Sequence, residues 1–213
     1  MNAPQSELTR AEATRLRILD AAAGLFWRRS FHGVSIDEIA ARSEVNKATI
    51  YRYYLDKSEL ALAAIAHNGD TVLQGIFAPV FEHYSSAEDR LERVFLCLYE
   101  AHRAFDEREG DLFGCPIAGL ALELGQDMPD LRAEAQKIFD KVEAHMLEIA
   151  ICAPQPRASA RETARMLVQL LHGAFTSARL SVDPLRVVDA GNAALILLGS
   201  ERRIAIPEDR RIS

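Results

Sequence analysis

Apolar residues recur at three- and four-residue intervals along almost the whole chain, and no stretch alternates apolar with polar residues as a half-buried strand would. The pattern predicts an all-α protein. Ile18, Leu19, Ala22, Leu25 and Phe26 share one face of a helix from about Glu12 to Arg28. From Gly33 to Leu60 the punctuation is denser, with three helix starts in close succession. Ser35 and Glu38 form a capping box with Val34 and Ile39 as its apolar staple. Asn46 repeats the arrangement with Val45 and Ile50, and Asp56 with Glu59, Leu55 and Leu60. Helices therefore begin near 36, 47 and 57. The first two are about two turns long and are separated only by Ser43, Glu44 and Val45, so they must cross steeply, with Ala40 small enough to permit it.

A long helix is expected after Asp56, reaching to about Tyr84 and loosened by Gly69 and Gly75. Further helices are expected at about 88–108, 116–125, 130–152, 160–181 and 185–199. Gly110 and Gly114 precede Pro116, Pro154 and Pro156 make a stiff linker, Ser159 with Glu162 caps the next helix, and Pro184 opens the last. The tail from Glu201 has no period and reads as loose. The expected organisation is a DNA-binding domain over 1–56, a helical domain over 57–201, and a loose tail over 202–213.

On the second short helix Ile50 and Tyr54 should turn inward with Val45, Ile36 and Ile39, leaving Lys47, Ala48, Tyr51 and Arg52 outside. Such a face suits the major groove: Lys and Arg can bond guanine edges, while Ala48 or the Tyr51 ring can meet a thymine methyl. The Thr49 and Tyr53 hydroxyls can hold phosphates, and Lys57 starts the third helix, whose free amides already favour an anion. The caps alone fit equally a helical hairpin with a solvated basic face.

The order of residues is more specific. Ile-Leu-Asp-Ala-Ala before Leu25-Phe26, then Gly-Val-Ser-Ile-Asp-Glu-Ile-Ala, Lys-Ala-Thr-Ile-Tyr-Arg-Tyr-Tyr and Asp-Lys-Ser-Glu-Leu resemble the N-terminal domain of TetR-family transcriptional regulators. The resemblance runs from Arg15 to Leu60. It implies a recognition helix at 47–53, with Lys47 and Tyr51 at base or nearby backbone contacts and Thr49, Tyr53 and Lys57 at phosphates. Ser35 and Ala48 join that DNA-facing set, and Arg52 takes a variable position suited to operator choice. Two residues depart from the family pattern: Ser30 and Glu44 stand where glycine is common. A left-handed backbone at either would cost about 1 kcal/mol relative to glycine.

Hydrophobic residues make up 49% of the 213 positions, enough for a full core. The net charge of -6 changes the picture only when divided. Residues 1–60 hold 9 Lys/Arg and 8 Asp/Glu (+1), and residues 61–213 hold 16 and 23 (-7), so the acidity lies outside the helix-turn-helix. There is no apolar run of membrane-spanning length and no signal-peptide pattern, so a cytoplasmic protein with no membrane partner is expected. Cys97, Cys115 and Cys152 lack metal-ligand spacing, and no metal or cofactor is expected.

The last two helices carry apolar stripes that serve either the chain's own core or a second copy. The resemblance implies the second use, a homodimer through a four-helix bundle, which places Leu167, Leu171, Phe175, Val188, Gly191, Leu195 and Leu198 at the interface. It also implies an inducer pocket in the middle of the chain, for which Tyr99, His102, Phe113, Cys115, Phe139 and His172 are the candidate lining; as single residues they fit ordinary core equally well. Cys115, between Gly114 and Pro116, fits a helix N-cap, where the dipole favours a reactive thiolate, or a small core filler. The Gly-Cys segment resembles family members that respond to electrophiles.

The expected function is a dimeric transcriptional regulator, a repressor that binds a palindromic operator and leaves it when a small-molecule inducer binds. The rival is an all-helical enzyme or electron-transfer protein with an incidental N-terminal hairpin. It finds no HExxH, phosphate loop, Glu-x-x-His pair or nucleophile elbow to support it. A non-specific architectural DNA protein is disfavoured by the acidic balance.

Overall fold

The structure is a computed structural model that describes residues 9–153 and 158–206. Among these residues every regular element is helical. In chain order they are α1 (Arg10–Arg29), α2 (Ile36–Arg42), α3 (Lys47–Tyr53), α4 (Lys57–Val72), a π turn (Leu73–Phe77), α5 (Ala78–His83) and α6 (Ala87–Glu109). Then follow α7 (Pro116–Leu124), α8 (Pro129–Ile151), α9 (Ala160–Ser181) and α10 (Leu185–Leu197). None is long and apolar enough to cross a membrane.

Local caps set most of the boundaries. Ser35 and Ser159 close reciprocal capping boxes with Glu38 and Glu162, and Asn46 accepts the Thr49 amide. Thr9 and Glu12 make a further box at the start of α1 that the sequence reading did not anticipate. The cap of α4 differs from expectation. Asp56 accepts the Glu59 amide at 2.8 Å, but the Glu59 carboxylate turns to the Leu55 amide. Leu55 is 82% exposed, so it makes no staple with the buried Leu60.

The expected long helix from 57 to 84 is continuous but contains the π turn. Pro79 has no N–H for the Gly75 carbonyl one turn back, and its ring would crowd that carbonyl in a regular α-helix. The chain relieves this with the wider turn just before it, so the irregularity falls at Gly75 and leaves Gly69 inside regular α4.

The packing divides the described chain into two compact units, one of 9–69 with 116–136 and the other of 70–115 with 137–206. This differs from the expected division at 56/57. In the first unit Ile18, Ala22 and Phe26 of α1 meet the helix-turn-helix core of Val34, Ile36, Ile39 and Ile50, and α7 packs on α1. All of α4 but its last three residues belongs here too. His67 and Asp20 hydrogen-bond at 2.7 Å between α4 and α1.

The core of the second unit is built from Phe77, Leu91, Phe95, Tyr99, Met146, Leu167 and Leu195 with their neighbours. The residues expected at the dimer interface lie in and around this core. Leu167, Leu171, Phe175, Val188, Gly191, Leu195 and Leu198 are all buried within the single chain, where they pack α9 and α10 on each other and α10 on α6. A Cβ at Gly191 would lie 2.9 Å from Phe95 Cβ and would collide with Ile204 Cδ1, so the glycine permits close approach inside one protomer. Residues 202–206 are likewise not loose. Ile204 enters the core, its amide donates to Asn192 Oδ1 at 2.8 Å, and Arg202 pairs with Asp89 and Glu92. The remainder of the expected tail, 207–213, lies outside the described residues, as does the proline linker at 154–157.

Candidate nucleic-acid interface

Ile50 is fully buried on the inner face of α3 and Tyr54 follows it into the core, which turns Lys47, Ala48, Tyr51 and Arg52 to solvent. These four side chains share one exposed face, and neighbours hold Lys47 and Arg52. Lys47 Nζ lies 3.1 Å from Asp37 Oδ2 on the first turn of α2. The Arg52 guanidinium sits 5.3 Å from the centroid of the Tyr53 ring, and the Tyr53 hydroxyl donates to the Ala11 carbonyl at 3.4 Å. Those contacts set the Arg52 guanidinium over an aromatic ring and tie α3 to the start of α1.

The expected phosphate ligands are less free than the sequence implied. Thr49 is half-buried and its hydroxyl donates to Asn46 Oδ1 at 2.9 Å, so a phosphate must compete with the cap. Ser35 is exposed, but its hydroxyl donates to Glu38 Oε2 at 2.9 Å. Glu38 also accepts from Arg29, and these bonds to its charged form, the Ser35 amide foremost, hold its carboxyl down at about 2. Lys57 begins α4 as expected. Its ammonium lies 4.1 Å from the centroid of the Phe31 ring, a cation–π contact at the edge of the loop joining α1 to α2.

That loop is held from a distance. Glu123 of α7 accepts the Phe31 amide at 2.9 Å and the His32 amide at 3.2 Å. Ser30, just before, has φ 65° and ψ 167°, and Glu44 in the turn between α2 and α3 has φ 55°. Both positions flagged for missing glycine thus do adopt positive φ. The roles of Phe31, Asp37 and Glu123 were invisible to the sequence reading.

Two family models match the chain. Residues 18–64 fit the bacterial regulatory proteins of the tetR family, and residues 91–190 fit the C-terminal domain of LmrA/YxaF-like transcriptional regulators. The chain belongs to the TetR family. It is a transcriptional regulator with an N-terminal helix-turn-helix and a C-terminal helical domain.

Among the relatives of this TetR-family protein, the uncharacterized regulator YxaF of Bacillus subtilis is 28% identical over 132 residues, 62% of this chain and 66% of that protein. The chain thus spans about two thirds of that relative's length. The crystal structure of SCO4454, a TetR-family regulator from Streptomyces coelicolor, has a TM-score of 0.75 at 21% identity, covering 88% of this chain and 95% of that one. FadR from Bacillus subtilis, in complex with stearoyl-CoA, gives 0.65 at 17%, with 89% and 100% covered. At such identities the two structures speak for the fold alone.

The expected pocket residues of this TetR-family chain all lie in the second unit. Phe139 meets His172 edge-on at 4.7 Å, while His102 stacks on Phe175 at 4.8 Å. Tyr99 is sealed in the core, and Phe113 and Cys115 flank Gly114 just ahead of α7. Burial pushes both histidines below the ordinary imidazole value. The Leu98 carbonyl lies 2.8 Å from His102 Nδ1 and can only accept, so Nδ1 carries the proton and the buried Nε2 is a lone-pair acceptor without a hydrogen-bond partner among the described residues.

A different surface of α9 and α10 remains open. Met166, Leu170, Gly173, Ala190, Ala193 and Leu197 line a shallow apolar groove across the two helices, with Arg186 and Asp189 at its rim.

Proposed function

We propose that this regulator works in the cytoplasm as a homodimer on a palindromic operator, most directly as a repressor released by a small-molecule inducer. The observation that carries the DNA reading is the exposed Lys47, Ala48, Tyr51 and Arg52 face on a short helix braced from behind by Ile50 and Tyr54. One such helix reads few base pairs, and a twofold copy supplies the rest of the specificity. Phosphate contacts fall to Lys57, to Ser35 and Thr49 after exchange of their cap bonds, and to Tyr53 after release from the Ala11 carbonyl.

The groove of Met166, Leu170, Gly173, Ala190, Ala193 and Leu197 supports the dimer reading, because small residues on adjacent helices admit a second helix pair closely. The ligand reading takes Tyr99, His102, Phe113, Cys115, Phe139 and His172 of the second unit as its candidate lining. Release requires the inducer to bind the DNA-incompetent state more tightly than the competent one. Sedimentation of the full chain with a duplex taken from its own upstream region tests the assembly: two chains per duplex are expected, and a single chain bound as tightly would reject it.

A further inference from the structure

We infer that Glu123 is a positioning residue for DNA binding, contributed to the helix-turn-helix by a segment far outside it in sequence. The inference rests on the reading of Lys57 as a phosphate ligand. Glu123 stands 92 residues beyond Phe31, yet its two oxygens accept the successive amides of Phe31 and His32. Two charge-assisted bonds to adjacent amides fix the orientation of that short stretch more firmly than one would. The same stretch begins at Ser30, whose unfavourable backbone angles persist only where the surroundings over-determine them.

What the stretch carries is the Phe31 ring. It packs on Phe26, with centroids 5.6 Å apart, and on its outer side receives the Lys57 ammonium. The line of support therefore runs from the Glu123 carboxylate through the Phe31 backbone to its ring and so to Lys57 Nζ. Lysine is long and loses much rotamer freedom when fixed, so a ring that confines it beforehand favours its phosphate contact. α7 packs with the first unit, but the chain enters that segment from the second unit at 115/116 and returns to it at 136/137. A displacement of α7 that slackens the Glu123 bonds would thus reach Lys57, at the start of α4, without being transmitted along the length of that helix.

Salt-titrated binding of the full-length protein to a random-sequence duplex tests this, since phosphate contacts appear there whatever the operator. Glu123→Ala is expected to bind severalfold more weakly and to lower the slope of log K against log salt by about one unit per chain, as Lys57→Ala does. The double variant should lose no more slope than Lys57→Ala alone. Glu123→Gln keeps one carbonyl acceptor and should recover part of the loss. Removal of a carboxylate acting only as charge would have the opposite sign and tighten binding.

Should Glu123→Ala lose helicity, Glu123→Gln with amide exchange at Phe31 and His32 carries the test: faster exchange with reduced slope supports the inference, and faster exchange with full slope overturns it. If Lys57→Ala lowers the slope but Glu123→Ala does not, or the two losses add, Glu123 has no positioning role while Lys57 keeps its own. A slope untouched by Lys57→Ala overturns both.

Discussion

Replacing Ser30 by glycine should make the protein more stable without altering its DNA contacts. At φ 65° and ψ 167° the residue occupies a region that only glycine enters without penalty, which costs a serine about 1 to 3 kcal/mol. Two terms oppose the gain. Glycine gives the unfolded chain more freedom, worth about 0.4 to 1 kcal/mol. The Gly33 amide also loses the Ser30 hydroxyl, but that contact is 3.4 Å long and exposed, so its loss costs at most about 0.5 kcal/mol. The net is a gain of about 1 kcal/mol, or about 2 to 4 °C in Tm for a chain of this size. Ser30→Ala keeps the backbone penalty and loses the hydroxyl, so it should be neutral or slightly destabilising. Thermal unfolding followed by circular dichroism separates the two. Equal Tm values for both variants and the parent would refute the argument, because the backbone at this position would then carry no strain.

The other expectations concern DNA, assembly and pH. Lys57→Ala should weaken binding to all duplexes and lower the salt slope by about one unit per chain, whereas Arg52→Ala should cost about 1 to 3 kcal/mol at one base pair per half-site; titrations on operator and scrambled duplex check both. Gly173→Glu places a charge in the open groove where an added Cβ meets nothing within 4 Å, so light scattering should report monomers of normal helicity. The charge buried at the interface should cost about 3 kcal/mol or more, while Leu195→Asp should instead unfold the protomer. Urea titrations should show stability falling on acidification in two stages. Below pH 6.5 the unfolded state protonates His102, His145 and His172 while burial keeps the folded imidazoles neutral. From 4.5 down to about 2 the Glu38 network is lost as well, since its contribution is complete only above the unfolded value. Stability that rises on acidification through either window would contradict the assignment.

What the sequence made legible was local. Ser35 with Glu38 and Asn46 with Thr49 are three residues apart, so the interactions that start α2 and α3 lie within one turn and show in the order of residues. The inward Ile50 and outward Lys47, Tyr51 and Arg52 follow from helical period alone. Periodicity did not say which surface an apolar stripe would meet. α9 and α10 each carry two apolar faces: the one with Leu167 and Leu195 packs in the chain's own core, and the one with Gly173 and Ala193 lines the open groove. Leu55 looked like a staple but lies outside, and Ile204 looked like part of a loose tail because a lone apolar residue has no period. Glu123 left no trace at all. A carboxylate that caps amides 92 and 91 residues away is set by how α7 packs on α1, which no local pattern encodes.

The central claim is that this protein reads DNA through α3 from two copies related by a dyad. A hydroxyl-radical footprint of the full-length protein on the region upstream of its own gene, run beside the Tyr51→Ala/Arg52→Ala variant, tests it most directly. The account predicts protected patches placed symmetrically on one side of the duplex, about one helical turn or a small multiple apart, and their disappearance in the variant. An unsymmetrical footprint, or one that the α3 variant leaves unchanged, would contradict it.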